Sequence, residues 1–366
     1  MKRPRLKWLR GIEEEVERIF HYARPPEPSG EVGVGKKWIP LDKNENFFLP
    51  ETYVRKILSK CLGEVDVRRY PEEEETRFKE RLCGFLETPP ENVVVGNGCD
   101  DLIDIACHTF LRPGDDAIVV APTFLMYRWS VERRGANVVE TYLREDFSLD
   151  IASITSRASQ KTRLCFICSP NNPTGNQFNP DEILEIGESL PSILIVDETY
   201  VDFADGSCVD LLDQLDNLVI LRTFSKIGFA GLRLGYALSN PRIIGLMEKF
   251  IRPYSLDSLS LKVGFEALGD YEPIRRALEA VISERERLTS ELKTIEGVTP
   301  HPSKTNFILV EVGKDVSLIH RSLLGTGVLV KNLRGEPLLS NHLRVSVGIP
   351  EMNEVFLNGL REAMGR

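Results

Sequence analysis

Positive charge is in short supply in this 366-residue sequence, where 46 lysines and arginines face 55 aspartates and glutamates for a formal net charge of −9. That balance excludes a general nucleic-acid-binding or membrane-surface protein, each of which favours a basic face, so any anionic ligand must be met by local cations. Long apolar runs are missing too. None approaches the roughly 20 residues of a membrane span, and the basic start Met1-Lys-Arg-Pro-Arg-Leu-Lys-Trp-Leu-Arg10 leads into Glu13, Glu14, Glu15 and Glu17 rather than an apolar core. The expectation is a soluble, cytoplasmic protein without a signal peptide. The spacings G-x-x-x-x-G-K-[ST] and G-x-G-x-x-G are also absent, which weakens any nucleotide-binding reading.

Seven cysteines, an odd number in a long chain, fit reduced thiols better than a disulfide framework. Cys165-Phe-Ile-Cys168 has the spacing of a redox or zinc pair, but the segment Arg163–Cys168 reads as a strand. Residues three apart on a strand point to opposite faces, and no second ligand pair accompanies this one. The five histidines show no pairing. No metal site is expected.

A hydrophobic content of 42% argues against disorder, and the length suggests two or so domains. Residues 1–37 read as a short amphipathic helix at about 11–22 followed by an arm rich in proline and glycine. The helix could pack on another subunit. From Val93 onward, seven short apolar runs alternate with longer amphipathic stretches: Val93–Val95, Ala117–Val120, Val138–Tyr142, Leu164–Cys168, Ile193–Val196, Leu218–Leu221 and Leu234–Leu238. Runs of this kind suit strands buried on both faces, so residues 38–250 are expected to form an α/β domain around a mostly parallel seven-stranded sheet. Residues 251–366 change character. Charged helical stretches at about 273–295 and 351–364 surround the runs Phe307–Val310, Val328–Val330 and Leu343–Val347, and predict a smaller α+β domain. The Glu-Arg-rich residues 284–287 are expected to be a solvated helix face.

Ligands of open parallel sheets gather beyond the carboxyl ends of the strands. The polar clusters lie there: G-N-G-C-D-D after the first run, S-P-N-N-P-T-G after the fourth, D-E-T-Y after the fifth and T-F-S-K after the sixth. Gly96-Asn-Gly-Cys-Asp-Asp-Leu-Ile103 joins strand to helix, a junction whose free amides can receive a phosphate, although glycines serve any tight turn. Asp197 at a buried strand end is either structurally paired or meets a buried cation, such as one on a cofactor. Lys226 is either an ordinary solvated lysine or an amine in a water-poor site. There it would lose part of its preference for the protonated form and could attack a carbonyl to form a Schiff base. Thr223, Ser225 and Arg233 are close enough in sequence to hold a phosphate on the same ligand. An aldehyde, a phosphate and a ring cation together describe pyridoxal 5'-phosphate.

Ten ordered segments resemble the fold-type-I pyridoxal-phosphate aminotransferases, and most closely the histidinol-phosphate aminotransferases. They are L-D-K-N-E-N (41–46), R-Y-P-E (69–72), G-N-G-C-D (96–100), A-P-T-F-L-M-Y (121–127), S-P-N-N-P-T-G (169–175), V-D-E-T-Y (196–200), T-F-S-K (223–226), A-G-L-R-L-G-Y (230–236), T-N-F (305–307) and L-R-V-S-V-G (343–348). The resemblance implies that Lys226 is the Schiff-base lysine and general base, Asp197 the partner of the pyridine nitrogen, and Asn172 and Tyr200 the partners of the ring hydroxyl. It implies that Phe124 stacks on the ring, that Gly98, Cys99 and Asp100 receive the phosphate with Thr223, Ser225 and Arg233, and that Tyr70 reaches the phosphate from a second subunit of a homodimer. Arg344 is implied for the acidic co-substrate. Lys331, with Arg334 near it, stands where relatives carry an arginine for a substrate phosphate, and Asn46 and Asn172 complete the substrate set. The stretch from Lys226 to Arg233 is one residue shorter than in many relatives.

The implied reaction is transamination between histidinol phosphate and 2-oxoglutarate in histidine biosynthesis. A threonine-phosphate decarboxylase-like lyase and a broader amino-acid aminotransferase share the same motifs. A non-catalytic binding or scaffold protein would need no reactive lysine.

Overall fold

A computed structural model describes residues 38–365 together with Val16, Glu17 and Ile19. The helix expected over 11–22 and the arm after it lie, but for those three residues, outside the described residues.

The seven apolar runs become β1 (Val93–Gly96), β2 (Asp116–Ala121), β3 (Asn137–Tyr142), β4 (Thr162–Cys168), β5 (Ile193–Asp197), β6 (Leu218–Thr223) and β7 (Gly235–Leu238) of a single sheet. Their order is β1-β7-β6-β5-β4-β2-β3. Neighbours are parallel except at β7, which runs antiparallel to both β1 and β6. Alternate residues feed two cores: Val95, Ile118, Ile167, Val196 and Ile220 pack on one face, and Val94, Val119, Phe166, Ile195 and Val219 on the other. Each such side chain contributes about 1.5–3 kcal/mol by leaving water, which is why both faces read as apolar. The alternation also separates the C-x-x-C cysteines. Cys165 joins the first core and Cys168 the second, with burial pushing both thiols up, that of Cys165 to about 12.

The parallel strands place their carboxyl ends along one edge. Because β7 is reversed, it starts at that edge, and the residues just before it arrive beside the strand ends. Close backbone approach makes this possible: a Cβ on Gly235 would lie 2.7 Å from the Gly98 carbonyl carbon, at the start of helix α1 (Cys99–Phe110).

The C-terminal part holds β8 (Val298–Pro300), β9 (Phe307–Val312), β10 (Lys331–Asn332) and β11 (His342–Ser346), an antiparallel sheet of order β10-β11-β9-β8. Helices α2 (Glu272–Leu292) and α3 (Pro350–Ala363) accompany it. Ile39–Pro40 pairs in parallel with Val328–Leu329, so the chain passes residue 39 beside this part rather than beside the large sheet.

One expectation about α2 is overturned. Glu284 and Arg285 are only 7% and 3% exposed. Arg285 Nη1 donates to the Phe203 and Thr305 carbonyls at 3.2 and 3.0 Å, and Glu284 Oε1 accepts from Asn353 Nδ2 at 2.8 Å. A run of charge does not reveal which turn of a helix meets carbonyls able to satisfy it, and with those partners the charge can be buried.

Candidate active site

At the sheet edge β5 ends on Asp197, which is 2% exposed. Its Oδ2 accepts from the Tyr127 hydroxyl at 2.7 Å and its Oδ1 from the Thr199 amide at 3.0 Å. Burial raises this carboxyl above the usual range, and the bonds from Thr199 and Tyr127 oppose the rise. Tyr127 is itself fully buried, stacked on Phe166 at 4.9 Å between ring centroids. Burial, followed by the charge of Asp197, holds its phenol far above the ordinary range, so it stays a donor.

Lys226 follows β6 in a tight helical turn, Ser225–Phe229, that Gly228 allows by taking φ 113°. A Cβ on Gly228 would sit 2.6 Å from a Leu49 methyl carbon. Lys226 Nζ donates to the Lys43 carbonyl at 3.2 Å and lies 5.7 Å from the centre of the Tyr200 ring. Burial, and then repulsion from Arg344, lower its amine from the ordinary lysine range to about 8. The Tyr200 hydroxyl accepts from Asn44 Nδ2 at 2.9 Å. Asn44 takes φ 56°, a left-handed conformation that asparagine tolerates, and is fixed by Ser346 and Asn306.

Beside the lysine is a cup for an anion. Gly98 takes φ 83°, and a Cβ there would meet Arg233 Nη2 at 2.7 Å. No side chain caps α1, so the amides of its first turn keep their partial positive charge for a ligand. Arg233 Nη1 donates to Ser225 Oγ at 3.3 Å and Nη2 to Asp100 Oδ2 at 3.1 Å, while Thr223 Oγ1 lies 3.0 Å from Ser225 Oγ. The short span from Lys226 closes through left-handed conformations at Gly228 and at Arg233, φ 53°, and brings the guanidinium to Ser225.

Across from the lysine, Arg344 on β11 stands directly opposite Lys331 on β10. Arg344 Nη1 donates to Asn172 Oδ1 and Nη2 to the Asp42 carbonyl, each at 2.6 Å. Burial, and after it the charge of Arg344, lower the Lys331 amine. Like charges opposite one another on paired strands are unfavourable unless an anion is brought between them. Glu336 shares this wall, its carboxyl raised by burial.

These groups line one cleft with about 280 Å³ of open space. Every expected site residue lines it except Gly98, Asn46, Tyr70 and Arg334. Gly98 forms the turn behind Cys99. Asn46 Oδ1 accepts from the Phe48 amide at 3.0 Å, and its neighbour Asn44 lines the cleft. The segment L-D-K-N-E-N has no regular period, so order alone does not show which asparagine points inward. Tyr70 is 72% exposed and stacks on Tyr254 at 4.5 Å, away from its own chain's cleft. Arg334 also lies outside, donating to Ser317 Oγ at 3.1 Å. Sequence reasoning assigned no role to Tyr127, Asn44, Thr199 or Glu336. The first three stand inside or beside the quoted motifs A-P-T-F-L-M-Y, L-D-K-N-E-N and V-D-E-T-Y, and Glu336 carries no signal.

An amine of lowered basicity near a buried carboxylate, both at one edge of a seven-stranded sheet with a single reversed strand, is the layout of the fold-type-I pyridoxal-phosphate-dependent transferases. The solved structure of histidinol-phosphate aminotransferase from Sinorhizobium meliloti in complex with pyridoxal-5'-phosphate superposes with a TM-score of 0.82 at 23% identity, covering 95% of this chain and 99% of that one. The chain belongs to the aminotransferase class I and II family, whose model matches residues 36–360. It is 35% identical over 327 residues to the histidinol-phosphate aminotransferase of Caldanaerobacter subterraneus subsp. tengcongensis, spanning 88% of this chain and 92% of that one. Histidinol-phosphate aminotransferase 1 of Carboxydothermus hydrogenoformans is 38% identical over 330 residues, spanning 89% and 93%.

Proposed function

We propose that this chain transfers an amino group between histidinol phosphate and 2-oxoglutarate, giving imidazole acetol phosphate and glutamate, with pyridoxal 5'-phosphate as its cofactor. The reaction belongs to histidine biosynthesis. The observation that carries the substrate assignment is the pair Lys331 and Arg344, two cations side by side on the wall facing Lys226, suited to one ligand with a phosphate and another with carboxylates.

The residues fit the cofactor on three counts. Asp197 is a buried, acceptor-only group when ionised, suited to a ring nitrogen that carries a proton. The first turn of α1, Ser225 and Arg233 offer donors to a phosphate where side chains on Gly98 and Gly235 would intrude. Lys226, lowered to about 8, supplies far more neutral amine near physiological pH than a solvated lysine does. Tyr200 and Asn172 would hold the ring hydroxyl, and Phe124 would cover one face of the ring.

When bound, pyridoxal phosphate supplies an aldehyde for the amine and a ring that takes up electron density as the substrate's α-proton leaves. Asp197 would keep a proton on the ring nitrogen, and Tyr127 and Thr199 fix the carboxylate that would do so. Lys226 Nζ would take up the substrate's α-proton and hold it for return on the same face. Arg344 orients the carboxylate end of the co-substrate, with Asn172 and the Asp42 carbonyl fixing the plane of its guanidinium. We further propose a cytoplasmic homodimer in which Tyr70, pointing away from its own cleft, serves that of the second copy.

Offering the loaded enzyme a panel of amines, and following the absorbance change that accompanies amino-group transfer, tests the assignment. Histidinol phosphate and glutamate are expected to react fastest. Release of carbon dioxide from a phosphorylated amino acid with no 2-oxo acid present would instead mark a lyase, and equal reaction across neutral amino acids a broader aminotransferase.

A further inference from the structure

Away from the groups assigned to catalysis, His301, just after β8, and His342, at the start of β11, bring their Nε2 atoms to 3.2 Å. One donor atom from each of these and one from Glu311 on β9 all lie within 4.8 Å of one another. We infer that His301, Glu311 and His342 form a binding site for a zinc-class divalent cation. The histidines are 41 residues apart, so no sequence spacing announced the pair.

The chemistry of the set points to this ion. Tetrahedral zinc with bonds of about 2.0–2.1 Å to imidazole nitrogen keeps such ligands about 3.3 Å apart, the separation these nitrogens already have. Two imidazoles and one carboxylate suit zinc, whereas magnesium and calcium prefer oxygen ligands throughout. Glu311 is exposed and free to swing toward the nitrogens, and it would offset part of the ion's charge.

The scaffold is regular structure. Glu311 and His342 face one another in register across β9 and β11, and the His301 amide donates to the Leu309 carbonyl of β9 at 2.9 Å. Three donors therefore come from three neighbouring strands or their ends, held before any ion arrives. His342 is 7% exposed. Phe147, from the loop after β3, packs edge-on against both rings at 5.2 and 6.4 Å, and water can complete the ion's coordination from the open side. A simple proton shared between two neutral rings is the competing account of the short contact.

The test uses untagged enzyme with its cofactor, treated with a chelator, dialysed against zinc and assayed for metal per chain, alongside Glu311→Gln and His301→Gln. The seven cysteines are all buried, so they do not compete in the folded protein. Wild type should retain one zinc per chain and melt at higher temperature with zinc, while magnesium does neither. Glu311→Gln should lose at least about tenfold in zinc affinity and His301→Gln should fall to background. Should His301→Gln fail to fold, the exposed Glu311→Gln decides alone. Retention of the full zinc complement by Glu311→Gln at wild-type affinity, or absence of bound zinc in wild type, would overturn the site and leave the shared proton as the explanation.

Discussion

Cofactor-free protein should capture pyridoxal phosphate through Lys226 at a rate that rises tenfold per pH unit and levels off near pH 8. The amine must be neutral to attack an aldehyde, and burial together with Arg344 brings its pKa down to about 8. Because the folded-state pKa is lowered, the reactive form gains population as pH rises through that value, and little more is gained above it. At pH 7 about one molecule in ten carries a neutral amine, against roughly one in 2,500 for a lysine at about 10.4, so capture should be about 250-fold faster than by a solvated lysine. Stopped-flow absorbance from pH 6.5 to 10 reads the profile, and borohydride trapping followed by peptide mapping locates the adduct. Arg344→Met removes the second cause and should move the break upward, the main effect of burial remaining. A rate that keeps climbing log-linearly to pH 10, or an adduct on another lysine, would refute the reasoning.

Asp197→Asn nearly preserves shape but removes the charge that keeps the ring nitrogen protonated; cofactor should stay bound through Lys226 and the cup, while α-proton exchange slows by about 10³-fold or more, and near-normal exchange would remove Asp197 from the mechanism. Arg344→Ala should raise KM for glutamate and 2-oxoglutarate by about 10²-fold, whereas Lys331→Ala should act on histidinol phosphate; unchanged histidinol phosphate kinetics would place its phosphate elsewhere. Mixing subunits carrying Lys226→Ala with subunits carrying an inactivating Tyr70 substitution should restore activity, since a tyrosine acting on the second copy leaves one intact site in each mixed dimer. Mixtures as inactive as their parents would confine Tyr70 to its own chain.

The sheet was legible because strands buried on both faces must be continuously apolar, as the inner strands from Ala117–Val120 to Leu218–Leu221 are, while the edge run Val138–Tyr142 carries Glu140 and Thr141 and is only partly buried. The convergence of the residues around Lys226 was legible for a related reason: Gly98, Asp197, Ser225, Lys226 and Arg233 sit at or next to strand ends, so the sheet's order already brings them together. Groups whose neighbours come from far along the chain were not legible. Asn44 is chosen over Asn46 by contacts with Ser346 and Asn306, and Arg285 is buried because the Phe203 and Thr305 carbonyls meet it. Nothing in L-D-K-N-E-N or E-R-E-R encodes those distances. The pairing of His301 with His342 was hidden for the same reason, since it depends on strand register rather than spacing.

The reversed strand β7 also bears on the order in which the site is assembled. Lys226 and Arg233 share the connection of one hairpin, β6 to β7, whose closure spans only residues 224–234. Short loops close early and at low entropic cost. The opposite wall is built from contacts between distant parts of the chain, with Arg344 reaching the Asp42 carbonyl and Asn44 reaching Ser346 across 302 positions each. During folding, Ser225, Lys226 and Arg233 should therefore be brought together before Arg344 and Asn44 find their distant partners. A ligand that spans Lys226 and the opposite wall would then favour the arrangement in which the two ends of the chain are docked.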